Sequence, residues 1–337
     1  MKDIVERDPQ VVAVARILKT VRPDVLLINE LDHDFENAAL KAFLDLLVED
    51  EPGYPALRYP YFFAPPQNVG APSGLDLDGD GKLGGPGDAY GFGHFRGRYA
   101  MALLSRFPIA DGAVDLAEFR WRDLPGADLP TQTDGAPFPS EDAQAAMRLS
   151  SKGHWAVPIA APGGTFWALA AHPTPPVFDG PEDANGKRNG DEVRLLIEMI
   201  EGRAPGTTGL ADAPFVVLGD LNADPNDGDG KRAIIRSLLN RPRVQDPKAS
   251  SEGARVAAVT QAGANVKHRG DPALDTADWR DDRGPGNLRV DFVLPSVEFA
   301  VTGAGVFWPA PGQAGAALLG RGGNRTSDHH LVWVDLE

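Results

Sequence analysis

The chain has 337 residues, 42% of them hydrophobic, with 38 glycines, 30 prolines, no cysteine and a formal net charge of -15 at pH 7. That size and apolar share suit a folded α/β chain with a sizeable core and long loops. The missing cysteines exclude disulfides, thiolate metal sites and thiol nucleophiles, and the negative charge opposes sequence-independent gripping of nucleic acid or anionic lipid by the whole surface.

No run approaches the length of a membrane span, and the charged opening MKDIVERD does not read as a secretory signal. From Pro9 to Val21, apolar residues at Val11, Val14, Leu18 and Val21 give a helical period. Arg22-Pro23-Asp24 breaks it. Residues 25–28 form a continuous apolar run, read as a buried strand, and it ends in Asn29 and Glu30. Residues 36–48 read as an amphipathic helix with Leu40, Phe43, Leu44 and Leu47 on one face. Helix, strand and helix in succession point to α/β layering.

Residues 51–98 form a long connection rich in proline, glycine and aromatics. Inside it, Asp76, Asp78 and Asp80 alternate around Gly79 and precede Gly81, like the first half of a calcium loop. The twelfth position is Gly87 where an acidic ligand belongs, and Asp88 comes one residue late. A structural Ca²⁺ over 76–88 is the expectation, against the plain alternative of a solvated acidic loop. Residues 99–104 read as a strand preceded by Arg96 and Arg98, which either face a phosphate or are simply solvated.

After a loop-like stretch at 111–150, a hairpin is expected: residues 156–160, a Pro-Gly-Gly turn, and residues 165–171. The second arm ends at His172. A polar loop carrying Lys187, Arg188 and Asn189 follows, then a helix over 191–201 stopped by Gly202. Residues 215–218 are a buried strand running into Gly219, Asp220 and Asn222. Positions two apart on a strand share a side, so this carboxylate and carboxamide leave the strand together, and Gly219 lets the backbone approach whatever they hold. Alone, this stretch is also an ordinary strand-to-turn exit. A short helix over 231–239, an irregular stretch at 241–287, and strands at 288–294, 299–308 and 331–334 complete the chain. Asp291 lies between Val290 and Phe292, where a carboxylate needs a partner. Ser327-Asp328-His329-His330 leads into the last strand.

Glu30, His172, Asp220, Asn222, Asp328 and His329 thus all sit at strand ends, which a sheet edge can bring together. Carboxylates with a carboxamide suit a hard cation such as Mg²⁺ or Mn²⁺, and histidines suit proton transfer and hydrogen bonding to developing charge. Together they suggest metal-assisted hydrolysis of a phosphate ester.

The ordered set RPDVLLINE, GRYAMALLSRFPI, AAHPTPP, VVLGDLN, RVDFVLPS and SDHH resembles the endonuclease/exonuclease/phosphatase family over roughly residues 10–337. The resemblance implies one domain over residues 1–337, with inserted loops at about 51–98, 111–150 and 241–287. It implies an α/β four-layer sandwich: two mixed β-sheets packed face to face with helices outside. Glu30 matches the metal-binding glutamate, and Asp328 an acid in or near the metal shell. His172 matches the group on the scissile phosphate. Asp220 matches the aspartate that positions or deprotonates the attacking water, with Asn222 beside it. His329 matches the histidine that stabilises the transition state, and Asp291 the aspartate that orients that histidine. Arg98 and Arg188 are the expected substrate contacts.

The expected activity is a divalent-metal-dependent phosphodiesterase using Mg²⁺ or Mn²⁺. Its expected substrate is a phosphate ester, small molecule or nucleic acid, and its expected state is a monomer. A phosphomonoesterase acting on inositol- or sugar-type phosphates is the alternative within the enzymes. The family's opening strand, with an Asn that completes the metal site, has no counterpart in MKDIVERDPQ. Either the chain is truncated at its start, or that start is assigned late, or another group replaces the Asn, and a metal-binding scaffold without catalysis becomes the alternative outside the enzymes. An extracytoplasmic setting for a longer precursor agrees with the calcium-type loop.

Overall fold

A computed structural model describes residues 2–320 and 326–337. The strands are β1 Val25–Asn29, β2 Tyr61–Phe63, β3 Met101–Ser105, β4 Val114–Asp115, β5 His154–Ala161, β6 Gly164–Ala171, β7 Phe215–Asp220, β8 Ala277–Asp278, β9 Asn287–Leu288, β10 Asp291–Pro295, β11 Val301–Val306 and β12 Val332–Leu336. The helices are α1 Lys2–Val5, α2 Pro9–Val21, α3 Ala38–Leu47, α4 Glu141–Ala146, α5 Ala184–Ile200, α6 Arg232–Leu239 and α7 Glu252–Gln261.

One sheet has the order β1-β3-β2 and is antiparallel throughout. A larger one has the order β10-β7-β6-β5-β4 and is mixed, with β6 and β7 parallel, and β11-β12 and β8-β9 form two further two-stranded sheets. The α/β sandwich expected from the sequence is therefore present, with the smaller of its two main sheets antiparallel and not mixed. Alternation along the strands builds the layers. Leu27 of β1 and Met101 and Leu103 of β3 pack on Trp155 and Val157 of β5, Ala168 and Ala170 of β6, and Val216 and Leu218 of β7. Phe63 meets Trp155 edge-on across this layer, with ring centroids 5.3 Å apart. The opposite face of the larger sheet, with Leu169, Phe215, Val217 and Phe292, is covered by Val193, Leu196 and Ile200 of α5. On the smaller sheet, Leu26, Ala102 and Leu104 are covered by Leu18 of α2 and Leu40, Phe43 and Leu47 of α3.

The first helix begins and ends where its local chemistry says. Asp8 caps the Gln10 amide, Pro9 opens the first turn, and Arg22 closes the helix in the left-handed conformation.

Three expectations are corrected. The helix expected over 191–201 starts seven residues earlier, at Ala184, so Lys187, Arg188 and Asn189 lie on α5 and not in a loop. The stretch hid its helical nature because its buried side chains there are polar. The irregular region 241–287 holds α7, capped by Ser251 on the Ala254 amide. The strand expected over 288–294 is broken into β9 and β10. The break has a cause: the Thr276 hydroxyl accepts both the Val290 and Asp291 amides, taking them from the ladder.

Candidate active site

Adjacent strands β7 and β10 run antiparallel with Asp220 directly opposite Asp291. The register alone sets two carboxylates side by side at the sheet's end. His329 is brought to them from the far end of the chain, through a bridge to Ala277 and a 2.8 Å bond from the His330 amide to the Thr276 carbonyl. Its Nδ1 lies 2.9 Å from Asp291 Oδ2 and 3.1 Å from Oδ1, and its Nε2 lies 3.9 Å from Asp220 Oδ2. Trp279 meets the ring edge-on at 5.2 Å and fixes its plane. Thr276 Oγ1 donates to Asp291 Oδ2 at 2.7 Å, which locks the carboxylate that locks the histidine.

Asp220 is held as tightly. Its Oδ1 accepts the Asn222 amide at 2.8 Å; its Oδ2 accepts Asn222 Nδ2 at 3.2 Å and faces His172 Nε2 at 3.3 Å. Asn222 Nδ2 also donates to the Pro173 carbonyl at 3.1 Å, tying the two strand exits together. Gly219 is required, but not for a ligand. A Cβ there would stand 2.0 Å from the Ala171 carbonyl, so the glycine permits the close approach of β6, the strand that carries His172.

The electrostatics follow from one imidazole between two buried carboxylates. Burial opposes charge on His329, but Asp291 and Asp220 outweigh it and raise its pKa to about 10. Burial likewise opposes charge on Asp220, and the His329 charge and the His172 bond outweigh it, holding the carboxyl down at about 2. At neutral pH the site therefore contains an ionised Asp220 facing a protonated His329.

The remaining expected residues are placed less uniformly. Glu30 leaves β1 with φ 60° and is exposed, outside the Asp220–Asp291–His329 cluster. Beside it, Asn29 Oδ1 is buried without a hydrogen-bond partner. Asp328 is also exposed; its charge contributes to holding the proton on His329. The Arg98 guanidinium lies over the Tyr99 ring at 4.7 Å. Arg188 is committed elsewhere: it donates to the carbonyls of Leu149, Tyr90 and Arg148 at 2.9, 2.5 and 2.8 Å. That is a loop clamp, and it leaves this guanidinium little capacity for a substrate. In the 76–88 loop, ligand atoms of Asp76, Asp78 and Asp80 come within 4.8 Å of one another. The late Asp88 accepts the Leu77 and Gly85 amides at 2.9 and 3.0 Å and so closes the loop from within.

Two features escape a reading of the sequence. Lys152 is only 6% exposed; burial lowers the pKa of its amine, against the pull of Glu192, Asp220 and Glu30. Glu192 of α5 is fully buried. One of its oxygens accepts the Ser151 amide at 2.7 Å and the other the Thr174 amide at 2.6 Å. Asn189, one turn earlier, donates to the Thr174 and Leu221 carbonyls at 2.8 and 3.0 Å. The polar half of α5 thus ties together the loops that present Lys152, His172 and Asp220. The only signal in the sequence was the polarity of 187–192 directly ahead of an apolar helical face.

The model of the Endonuclease/Exonuclease/phosphatase family matches residues 2–329. The chain belongs to that family. Its members are hydrolases of phosphate esters, and the sandwich described above has that family's form. Among solved structures it is similar to an endonuclease/exonuclease/phosphatase from Beutenbergia cavernae DSM 12333, with 17% identity, TM-score 0.55, 97% of this chain covered and 65% of that one. The chain thus spans about two thirds of that relative's length. It is also similar to a family protein from Leptotrichia buccalis C-1013-b, with 14% identity, TM-score 0.50, and 100% and 95% of the two chains covered. The human Nocturnin catalytic domain with bound sulfate anion is similar at 16% identity and TM-score 0.50, covering 98% and 86%. At these identities the likeness shows the fold. No curated protein matches.

The donors at the site fit the divalent cations that this family generally uses. They are oxygen-rich: Asp220 and Asp291 come together with Asn222 beside them, and the orphaned Asn29 Oδ1 precedes Glu30 at the end of β1.

Proposed function

We propose that this family member is a divalent-metal-dependent phosphodiesterase. The observation that supports the reading best is the His329 ring, held by Asp291 on one nitrogen and facing Asp220 with the other. A protonated, oriented imidazole is a donor aimed at developing negative charge. Asp220, ionised and fixed by Asn222 and His172, is the acceptor that orients the attacking water and takes its proton. With a pKa near 2 it is a weak base, so orientation is its larger contribution. Water oxygen bonds to phosphorus as the ester P–O bond breaks; His329 and His172 donate to the oxygens that gain charge. Asp291 and Thr276 keep His329 in place throughout. Mg²⁺ or Mn²⁺, held by Glu30 and Asn222 with Asp220 alongside, would supply charge neutralisation of the phosphoryl oxygens.

Lys152 favours a second reading. A buried ammonium beside the site suits the extra charge of a phosphomonoester dianion, which makes a phosphomonoesterase the alternative.

One experiment separates these. Hydrolysis of bis(p-nitrophenyl) phosphate, p-nitrophenyl phosphate and plasmid DNA is followed with Mg²⁺, Mn²⁺ or chelator. Metal-dependent cleavage of the diester in excess over the monoester is expected. Faster monoester cleavage replaces the first reading with the second, and a folded protein that turns over no ester is a binding scaffold. For the 76–88 loop the reading is a structural Ca²⁺, carried by the convergence of Asp76, Asp78 and Asp80.

A further inference from the structure

A second group of acids lies off the same strand exit. Asp224, Asp227 and Asp275 are 4%, 9% and 6% exposed. Asp224 is satisfied by the amides of Asn226, Asp227 and Arg289, and Asp227 by those of Arg269 and Gly270. The carboxylate of Asp275 receives no hydrogen bond among the described residues, and none of the three acids pairs with a lysine, arginine or histidine there. Asp224, Asp227 and Asp271 all act on Asp275 as like charges. A carboxylate so enclosed among like charges is costly, and protonation or a cation entering the recess it lines relieves that cost.

Beside these acids is a cavity of about 380 Å³, and Asp227 and Asp275 line it. Ala258, Val259, Val266 and Pro272 give the wall its apolar part, and Asn265 and His268 its polar part, with His268 Nε2 set 2.8 Å from the Pro285 carbonyl. Val259 and Val266 are 73% and 75% exposed, large apolar side chains left at the mouth of an acidic recess. A concave site with an apolar wall and a few placed charges is the form of a small-molecule pocket.

The structure points to a binding site for a small organic cation: we propose that this pocket takes a primary ammonium group carried on an aliphatic body. The charge sits against Asp275, with Asp227 beside it, and the body lies against Val259 and Val266. A bare metal ion fits less well. Among the described residues, ligand atoms of three acids or histidines gather within 4.8 Å at Asp220–Asp291–His329 and at Asp76–Asp78–Asp80, and Asp224, Asp227 and Asp275 do not form such a group. Burial and the neighbouring acids push the Asp275 carboxyl up to about 8, so at pH 7 it is protonated when the pocket is free. A bound ammonium restores the carboxylate, and the proton leaves to buffer. The site is separate from the hydrolytic reading, and binding is measurable whether or not any ester is cleaved.

The test is titration calorimetry of the whole chain with n-butylammonium at pH 7, in two buffers of different ionisation enthalpy. Saturable binding is expected, with proton release seen as a buffer-dependent heat. Asp275→Asn should weaken it at least about 10-fold, and neutral 1-butanol should give no saturation. Val266→Ser, a change at the exposed rim that leaves the core untouched, should weaken n-butylammonium several-fold. The Asp78→Ala variant removes the calcium-type loop from the comparison. Saturation of that variant by CaCl₂, in competition with n-butylammonium, would make this a metal site and overturn the proposal. So would the absence of saturable n-butylammonium binding, or binding that Asp275→Asn and Val266→Ser leave unchanged.

Discussion

Asp220 and Asp291 on one side, and Asp224, Asp227 and Asp275 on the other, are both clusters of buried aspartates fed by the exit of β7. They differ in how their charge is met. At Asp220 and Asp291 an imidazolium stands between the carboxylates and opposes their charge within the protein. At Asp275 the neighbours are carboxylates, and among the described residues the compensating charge is missing. The same residue type is therefore a stable, ionised working group in one place and a proton-holding group that calls for a ligand in the other. Burial raises the cost of charge in both; the partner decides which state results.

The largest expected effect comes from removing the balance at the first cluster. His329→Ala should lower metal-dependent diester hydrolysis by at least about 100-fold, since it deletes a preorganised donor and leaves two adjacent buried carboxylates unopposed. Asp220→Ala should do the same, and rates equal to the unaltered protein in both would remove these residues from the site. Stability measured in chelator should show the matching pH signature. His329 has a folded pKa of about 10 against an ordinary value of 6.5. Its contribution is therefore fully present below about 6.5 and lost as pH rises towards about 10. A stability profile flat across that window would break the charge-balance account.

A second experiment tests the frame that holds the first cluster. Glu192→Ala strands the Ser151 and Thr174 amides, and each buried amide left without an acceptor costs about 1–3 kcal/mol. Urea unfolding should register that loss, with a fall in hydrolysis because Lys152 and His172 lose their fixed loops. A variant of unchanged stability would show that these amides find water instead.

The second cluster should respond in the opposite sense. Asp275 has its pKa raised in the folded state from the ordinary 3.8 to about 8, so its cost to folding sets in above about pH 4, grows with pH and is complete above about 8. Asp275→Asn should accordingly raise the thermal midpoint above pH 8 and change it little near pH 4. A lowered midpoint at high pH would mean that Asp275 already has a partner. The smallest effect expected is at the surface loop. Millimolar Ca²⁺ should raise the midpoint by a few degrees, and Asp78→Ala should remove that response.

Much of this was legible before any coordinates. The apolar runs at 25–28 and 215–218, the capped helix from Pro9 to Val21 and the hairpin around residues 162–164 all form as local patterning dictates, because their periods match the faces they bury. The candidate site residues Asp220, Asn222 and His172 were visible as polar groups at strand ends, and the family motifs supplied Asp291 and His329 with their roles.

What the sequence could not contain is pairing across the sheet and across the chain. Asp291 lies opposite Asp220 only because β10 pairs with β7 in that register. Arg188 looked like a phosphate ligand until three carbonyls were found around it. Lys152 carried no local signal and Glu192 only the polarity of 187–192, since a buried charge is recognised by its partners and not by its neighbours in sequence. Local patterning is set by short-range periodicity and capping, so the sequence by itself determined the core strands β1, β3, β5, β6 and β7, helix α2 and the polar strand ends. Which charges are matched and which are left to a ligand was decided by tertiary structure alone. Charge compensation depends on distances of a few ångströms between segments that lie tens to hundreds of residues apart.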